Sequence, residues 1–203
     1  NKKITVLKKI DYSFTKGKIY SLMGPSGSGK STLLNILSMI DKPSTGSLLI
    51  SGATIDFKNK IENDKIRSNK IGIVYQQNNL LPDFTALENV YLAGLALSGN
   101  KKKSVEKAKK IIKEMSLSSR ENHYPSELSG GEIQRIAIAR ALINEPEIIL
   151  ADEPTGSLDR KTAKEIFKVL YNLKNKNRIL IYATHNRFFA NMADCKLEMI
   201  DGN

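Results

Sequence analysis

The chain has 203 residues, with 32 Lys or Arg against 21 Asp or Glu for a formal net charge of +11, and 40% of it is hydrophobic. That length suits one globular domain, and that apolar share buries an ordinary core, which excludes wholesale disorder. The longest apolar run, Val90 to Leu97, falls well short of the roughly 20 residues that cross a bilayer, and no charged segment leading into an apolar one opens the sequence as an export signal would.

In chain order, the first predicted strand is Ile19 to Met23. It runs into Gly24-Pro25-Ser26-Gly27-Ser28-Gly29-Lys30-Ser31, a phosphate-binding loop, and then into helical spacing over Thr32 to Leu37. Gly27 and Gly29 let the backbone turn its N–H groups around an anion, and the helix that follows aims its positive end at the same spot. Lys30 would bridge outer phosphates, and the Ser31 hydroxyl would take one place on Mg²⁺. An ordinary glycine turn needs neither a strand before it nor a helix after it, and here both are present.

Further strands are predicted at Leu48 to Ile50 and Ile71 to Tyr75. From Gln76 to Ser129 the strand signal disappears, and helices are predicted near Ala86 to Leu97 and Ser104 to Met115, parted by Ser98-Gly99-Asn100. Thr85 and Glu88 read as the cap of the first of these. The basic excess collects in the first 20 residues and in Lys101 to Lys113. There Lys107, Lys110 and Glu114 alternate with Ile111, Ile112 and Met115, which is the solvated side of an amphipathic helix rather than a polyanion site. Attraction to an anionic membrane surface is the next reading of that charge.

Ser129-Gly130-Gly131-Glu132 opens a helical stretch over Ile136 to Ile143, so a second anion-seeking helix N-terminus is expected there. Ile148 to Asp152 is an apolar strand ending in the carboxylates of Asp152 and Glu153, at the strand end where open α/β sheets place ligands. Asp152 would hold Mg²⁺, and Glu153 would face an attacking water as general base. The last strands are Ile179 to Thr184 and Lys196 to Ile200. Most of the strands are apolar throughout, as in a sheet that is parallel at its centre. The one cysteine, Cys195, excludes an internal disulfide and reads as an incidental thiol in a reducing compartment.

Together these residues resemble the ATP-binding cassette (ABC) ATPase family. Residues 24 to 31 resemble its Walker A motif, 148 to 153 its Walker B motif with the catalytic glutamate, and 128 to 132 its signature motif. Gln76 resembles the Q-loop glutamine, Ser157-Leu158-Asp159 the D-loop, and His185 the switch histidine, all in the family's order. The resemblance implies an α/β fold, a P-loop NTPase (RecA-like) core with an antiparallel β edge. An α-helical subdomain would be inserted at 77–143, between core segments 1–76 and 144–203. It implies ATP as substrate with Mg²⁺ held by Ser31, Gln76 and Asp152. The phosphates would lie on residues Gly24 to Thr32, including Thr32 itself. Glu153, His185 and Gln76 would be the catalytic set, and Ser129, Gly130, Gly131 and Glu132 would complete a partner's ATP site in an ATP-dependent homodimer. Asp159 would act across that interface. Integral membrane permease subunits are the implied partners, with the chain cytoplasmic and peripheral on the inner membrane, and no nucleic acid is expected.

Within the family, Gln76 to Val90 and Ala151 to Asp159 resemble the branch that serves lipoprotein release, macrolide export and cell division. Leu80-Leu81-Pro82-Asp83-Phe84 favours lipoprotein release, and its apolar composition suits a groove that receives a permease helix. A soluble cassette acting on DNA or ribosomes is the rival from another class. It would need a long coiled-coil insertion or a second cassette, and neither is present. A P-loop kinase would leave Leu128 to Glu132 unexplained. Two departures matter: the family's adenine-stacking aromatic lies upstream of the stretch matching Val6 to Phe14, so Tyr12 and Tyr20 are not assigned that role, and Asn186 stands where the family often has Asp.

Overall fold

The computed structural model describes residues 5–203, and Lys2 and Lys3 of the basic N-terminal stretch lie outside them. The described chain runs β1 (Ile19–Met23), α1 (Lys30–Leu37), β2 (Leu49–Ile50), β3 (Ala53–Thr54), α2 (Lys60–Lys70) and β4 (Ile71–Val74). Three helices follow, α3 (Ala86–Ser98), α4 (Lys101–Glu114) and α5 (Gly130–Leu142), with 3-10 turns at Ser118–Arg120 and Pro125–Glu127 between the last two. The chain closes with β5 (Ile148–Asp152), α6 (Arg160–Asn172), β6 (Ile179–Ala183), α7 (Arg187–Ala190) and β7 (Cys195–Glu198).

Five strands form one parallel sheet in the order β4-β5-β6-β1-β7, and β2 and β3 form a separate antiparallel pair. The all-apolar strands are explained by period-2 alternation between two cores. Ile19, Ile149, Ala151, Leu180 and Tyr182 face a core shared with α3 to α6. Tyr20, Leu150, Ile181 and Ala183 face the other, with Leu34 of α1 and Met39. Tyr20 is thus a core aromatic, its ring edge-on to Tyr12 and Phe14 and its hydroxyl accepting from the Thr15 N–H at 2.8 Å.

Several element bounds depart from expectation, each for a local reason. The last strand occupies Cys195–Glu198 rather than 196 to 200, because Ile200 closes a turn with Asn203 through paired backbone bonds. α4 begins three residues early, at Lys101, since the Asn100 side chain accepts from the Lys103 N–H and caps it. α5 begins at Gly130, as the Ser129-Gly130-Gly131 opening implies, with Ser129 and Glu132 forming a capping box. Thr85 and Glu88 form the box expected at α3. Ile111, Ile112 and Met115 are buried while Lys110 and Lys113 are exposed, so the basic stretch of α4 has the solvated face read from its spacing.

α5 reaches from its exposed N-terminus down onto the sheet, and its far end touches β4. A Cβ on Gly72 would lie 2.4 Å from the Ala141 carbonyl oxygen and 3.0 Å from Pro146 Cγ, so only glycine allows this approach. Gly72→Ala is expected to destabilise the fold by about 1–3 kcal/mol through overpacking. Urea unfolding should show a lower midpoint at unchanged slope.

Candidate functional site

The loop between β1 and α1 is shaped by what its residues cannot accommodate. Gly29 is the N-cap of α1 at φ +100°, a left-handed conformation, and a Cβ there would lie 2.8 Å from Leu7 Cδ2. An L side chain would be strained there by the backbone, and Leu7 would have to shift to admit it. α1 carries no acidic residue in its first turn, so none of its own side chains offsets the positive end of its dipole. Lys30, mostly buried, curls back and donates to the Gly24 and Pro25 carbonyls at 2.9 and 2.8 Å. The buried Ser28 hydroxyl has no partner among the described residues. A cation bonded among the described residues to two neutral carbonyls, with the Ser28 hydroxyl in the same loop, is suited to donating to phosphate oxygens.

The carboxyl ends of β4, β5 and β6 complete this site. A cleft of about 510 Å³ is lined by the loop, with Ser31 and Thr32 on one side and Gln76, Asp152, Glu153 and His185 on the other. The sheet register explains their meeting, since Val74 pairs with Ala151 and Asp152 with Ala183, which puts Gln76, Asp152 and His185 at the same edge. Glu153 follows β5 at φ +45°, unusual for a residue with a side chain. Its amide donates to the Ala183 carbonyl at 3.1 Å, and its carboxylate Oε1 sits 2.9 Å from His185 Nδ1. Holding a non-glycine residue there costs about 1–3 kcal/mol, strain of the kind that collects at functional sites.

Among the described residues no group of three His, Cys, Asp or Glu could hold a metal. Ser31 and Asp152 nonetheless suit Mg²⁺, which takes one or two protein oxygens and completes its shell with phosphates and water. Asn186 caps α7 by accepting from the Phe188 N–H at 2.9 Å. Asp159 likewise caps α6, accepting from the Lys161 and Thr162 N–H groups.

The second anion-seeking helix end lies elsewhere. Ser129 and Gly130 are exposed, and none of residues 128 to 132 lines the 510 Å³ cleft. Gly130 and Gly131 pack instead against Leu158 and Thr162 of their own chain. The single chain therefore brings the loop at 24–31, Asp152, Glu153, Gln76 and His185 together and leaves residues 128–132 apart. Three further residues escape sequence reasoning. Arg140 donates to the Asn78 and Asn79 carbonyls at 2.7 and 2.6 Å. Buried Asn89 bonds Leu81 through both its N–H and C=O groups, and also the Phe84 carbonyl. Arg120 holds Glu132 at 2.9 Å. Arg140 and Asn89 together shape the stretch from 78 to 84. For Asn89 the signal is an amide on an otherwise apolar helix face; the two arginines carry none, because their partners are far off in sequence.

Comparison with known proteins agrees with this geometry. Residues 7–156 match the ABC transporter family. The chain is 42% identical to the lipoprotein-releasing system ATP-binding protein LolD of Bacteroides fragilis, over 98% of this chain and 93% of that protein. It is 45% identical to the LolD protein of Rickettsia bellii, over 96% and 86%. A dimeric post-hydrolysis structure of the ATP-binding cassette MJ0796, bound to ADP and Pi, superposes with a TM-score of 0.89 at 40% identity, covering 97% of this chain and 87% of that one. With the phosphate loop, the paired carboxylates and these relatives in hand, the chain belongs to the ABC transporter family, as one of its ATP-hydrolysing cassettes.

Proposed function

We propose that this cassette drives lipoprotein release from a membrane through a separate integral permease. The observation that carries this reading is the near-full-length identity to lipoprotein-releasing relatives from distant bacteria. No helix among the described residues is long and apolar enough to cross a membrane, so the translocating path would belong to the permease. Residues 77–143 would form the subdomain that meets it.

Lys30 and the loop N–H groups hold the phosphates, with Lys30 exchanging its two carbonyl partners for phosphate oxygens. Ser31, Asp152 and Gln76 would hold Mg²⁺, which when bound would neutralise charge on the outer phosphates. Glu153 takes the proton from the attacking water, and His185 keeps the carboxylate aimed through its Nδ1.

Leu81 and Phe84 are exposed apolar residues on a backbone held from beneath by Asn89 and Arg140. Their removal should leave the fold intact. Leu81→Ser with Phe84→Ser is expected to weaken permease binding by at least about tenfold, measured by co-purification, at an unchanged thermal midpoint. A lowered midpoint, or full permease binding, would take these residues out of the contact. The function itself is tested by isolating the membrane subunits that co-purify with this chain and reconstituting them in vesicles. ATP-dependent release of a lipidated protein is the expected result. Drug export, or no transported cargo, would move the chain to the macrolide or cell-division branch.

A further inference from the structure

The two helix ends assigned to phosphate differ in charge. α1 has no acid in its first turn, whereas α5 has Glu132. Glu132 Oε2 accepts from both the backbone N–H and the hydroxyl of Ser129 at 2.8 Å, closing the capping box. These bonds, and then Arg120, hold its carboxyl pKa down to about 2, so it is an anion throughout the working range. A cap of this kind stabilises the helix. It also sets a negative charge at the end that is to meet a phosphate, and like charges brought together at an interface oppose association.

Arg120 stands against that charge. Its Nε donates to Glu132 Oε1 at 2.9 Å, and its Nη1 lies 3.3 Å from His123 Nε2. Neighbouring Glu121 does not compete for it, being paired with Lys109 at 3.3 Å. The strip that carries Arg120 is fixed by the start of α3, where the Ala86 and Leu87 N–H groups donate to the His123 and Glu121 carbonyls at 2.8 Å. The guanidinium is thus delivered from an anchored backbone rather than from a loose loop. The ion pair is part-buried, with side-chain exposures of 43% for Arg120 and 24% for Glu132, so its contribution to folding is modest.

We propose that Arg120 is a positioning residue for the signature end of α5: it neutralises Glu132, so that the capped helix can still attract the partner subunit's ATP phosphate. This rests on the reading of Ser129 to Glu132 as one half of a two-chain ATP site. The test uses Glu153→Gln protein, in which hydrolysis is blocked, and measures by light scattering the ATP concentration that gives half-maximal dimer. Arg120→Gln is expected to raise that concentration by about tenfold or more, with a smaller defect as added salt screens the repulsion. Arg120→Lys should restore most of the loss. Combining Arg120→Gln with Glu132→Gln should also restore it, since no uncompensated charge remains. Arg120→Gln protein that dimerises at the parent's ATP concentration overturns the proposal, and so does a double variant as impaired as the single one. Ser129→Arg, measured alongside, separates the two levels: if it leaves the dimer intact the two-chain site is wrong, whereas if it abolishes the dimer and Arg120→Gln does not, only the role of Arg120 is wrong.

Discussion

Glu153→Gln is expected to keep ATP binding and lose turnover by about 10²- to 10⁴-fold, the range for a missing general base. The expectation follows from how the residue is placed. Glu153 lies one position beyond Asp152, in a left-handed conformation, with Oε1 2.9 Å from His185 Nδ1. Glutamine fills the same volume, and its carbonyl oxygen can still accept from that nitrogen, so the pocket should keep its shape. What disappears is the ability to take a proton from water. A nucleotide-binding assay should therefore match the parent while single-turnover hydrolysis collapses. If hydrolysis persists near the parent rate, Glu153 only orients His185, and the base must be sought elsewhere in the cleft.

How far the sequence alone reaches differs between parts of the site, for physical reasons. The phosphate loop is legible because its chemistry is local: glycines, lysine and serine adjacent in the chain must all serve one anion. The sheet strands are legible because burial on both faces forces apolar residues at nearly every position. α6 carries an equally clear signal, with Ala163, Ile166, Phe167 and Leu170 buried at i, i+3, i+4 and i+7, and the strand-focused reading passes over it. α2 has no such signal, since Asn63 is its only buried residue and Ile61 points to solvent at 73% exposure. It is capped by Asn59 and turns only a narrow face inward, where Ile66, one turn on from Asn63, packs against the core that holds Tyr20 and Leu150. Least legible are Arg120 against Glu132 and Arg140 against Asn78 and Asn79. These pairs join elements whose spacing in the chain carries no periodicity, so only the fold reveals them.

The other large effect is expected at Ser129, outside the cleft into which the phosphate loop's own helix opens. On the Glu153→Gln background the chain should form a dimer when ATP is added, and Ser129→Arg should abolish that dimer while nucleotide still binds the monomer. The reason is the separation of the two anion-seeking ends. α1 opens into the 510 Å³ cleft with Asp152 and Glu153, while α5 opens at exposed Ser129 and Gly130, outside that cleft. Two helix N-termini so divided do not converge on one γ-phosphate within a chain, but a two-fold axis lets each subunit lend its signature end to the other's cleft. Such an interface draws much of its affinity from the shared nucleotide, so by linkage it should be weak without ATP and fall apart once hydrolysis removes the γ-phosphate. An arginine at 129 puts a long side chain where that phosphate would arrive and removes the hydroxyl that completes the capping box with Glu132. Size-exclusion chromatography with and without ATP reads the outcome directly. A Glu153→Gln protein that remains monomeric in saturating ATP, while the parent hydrolyses efficiently, would mean that the signature residues act within their own chain and that α5 must move to reach its own cleft.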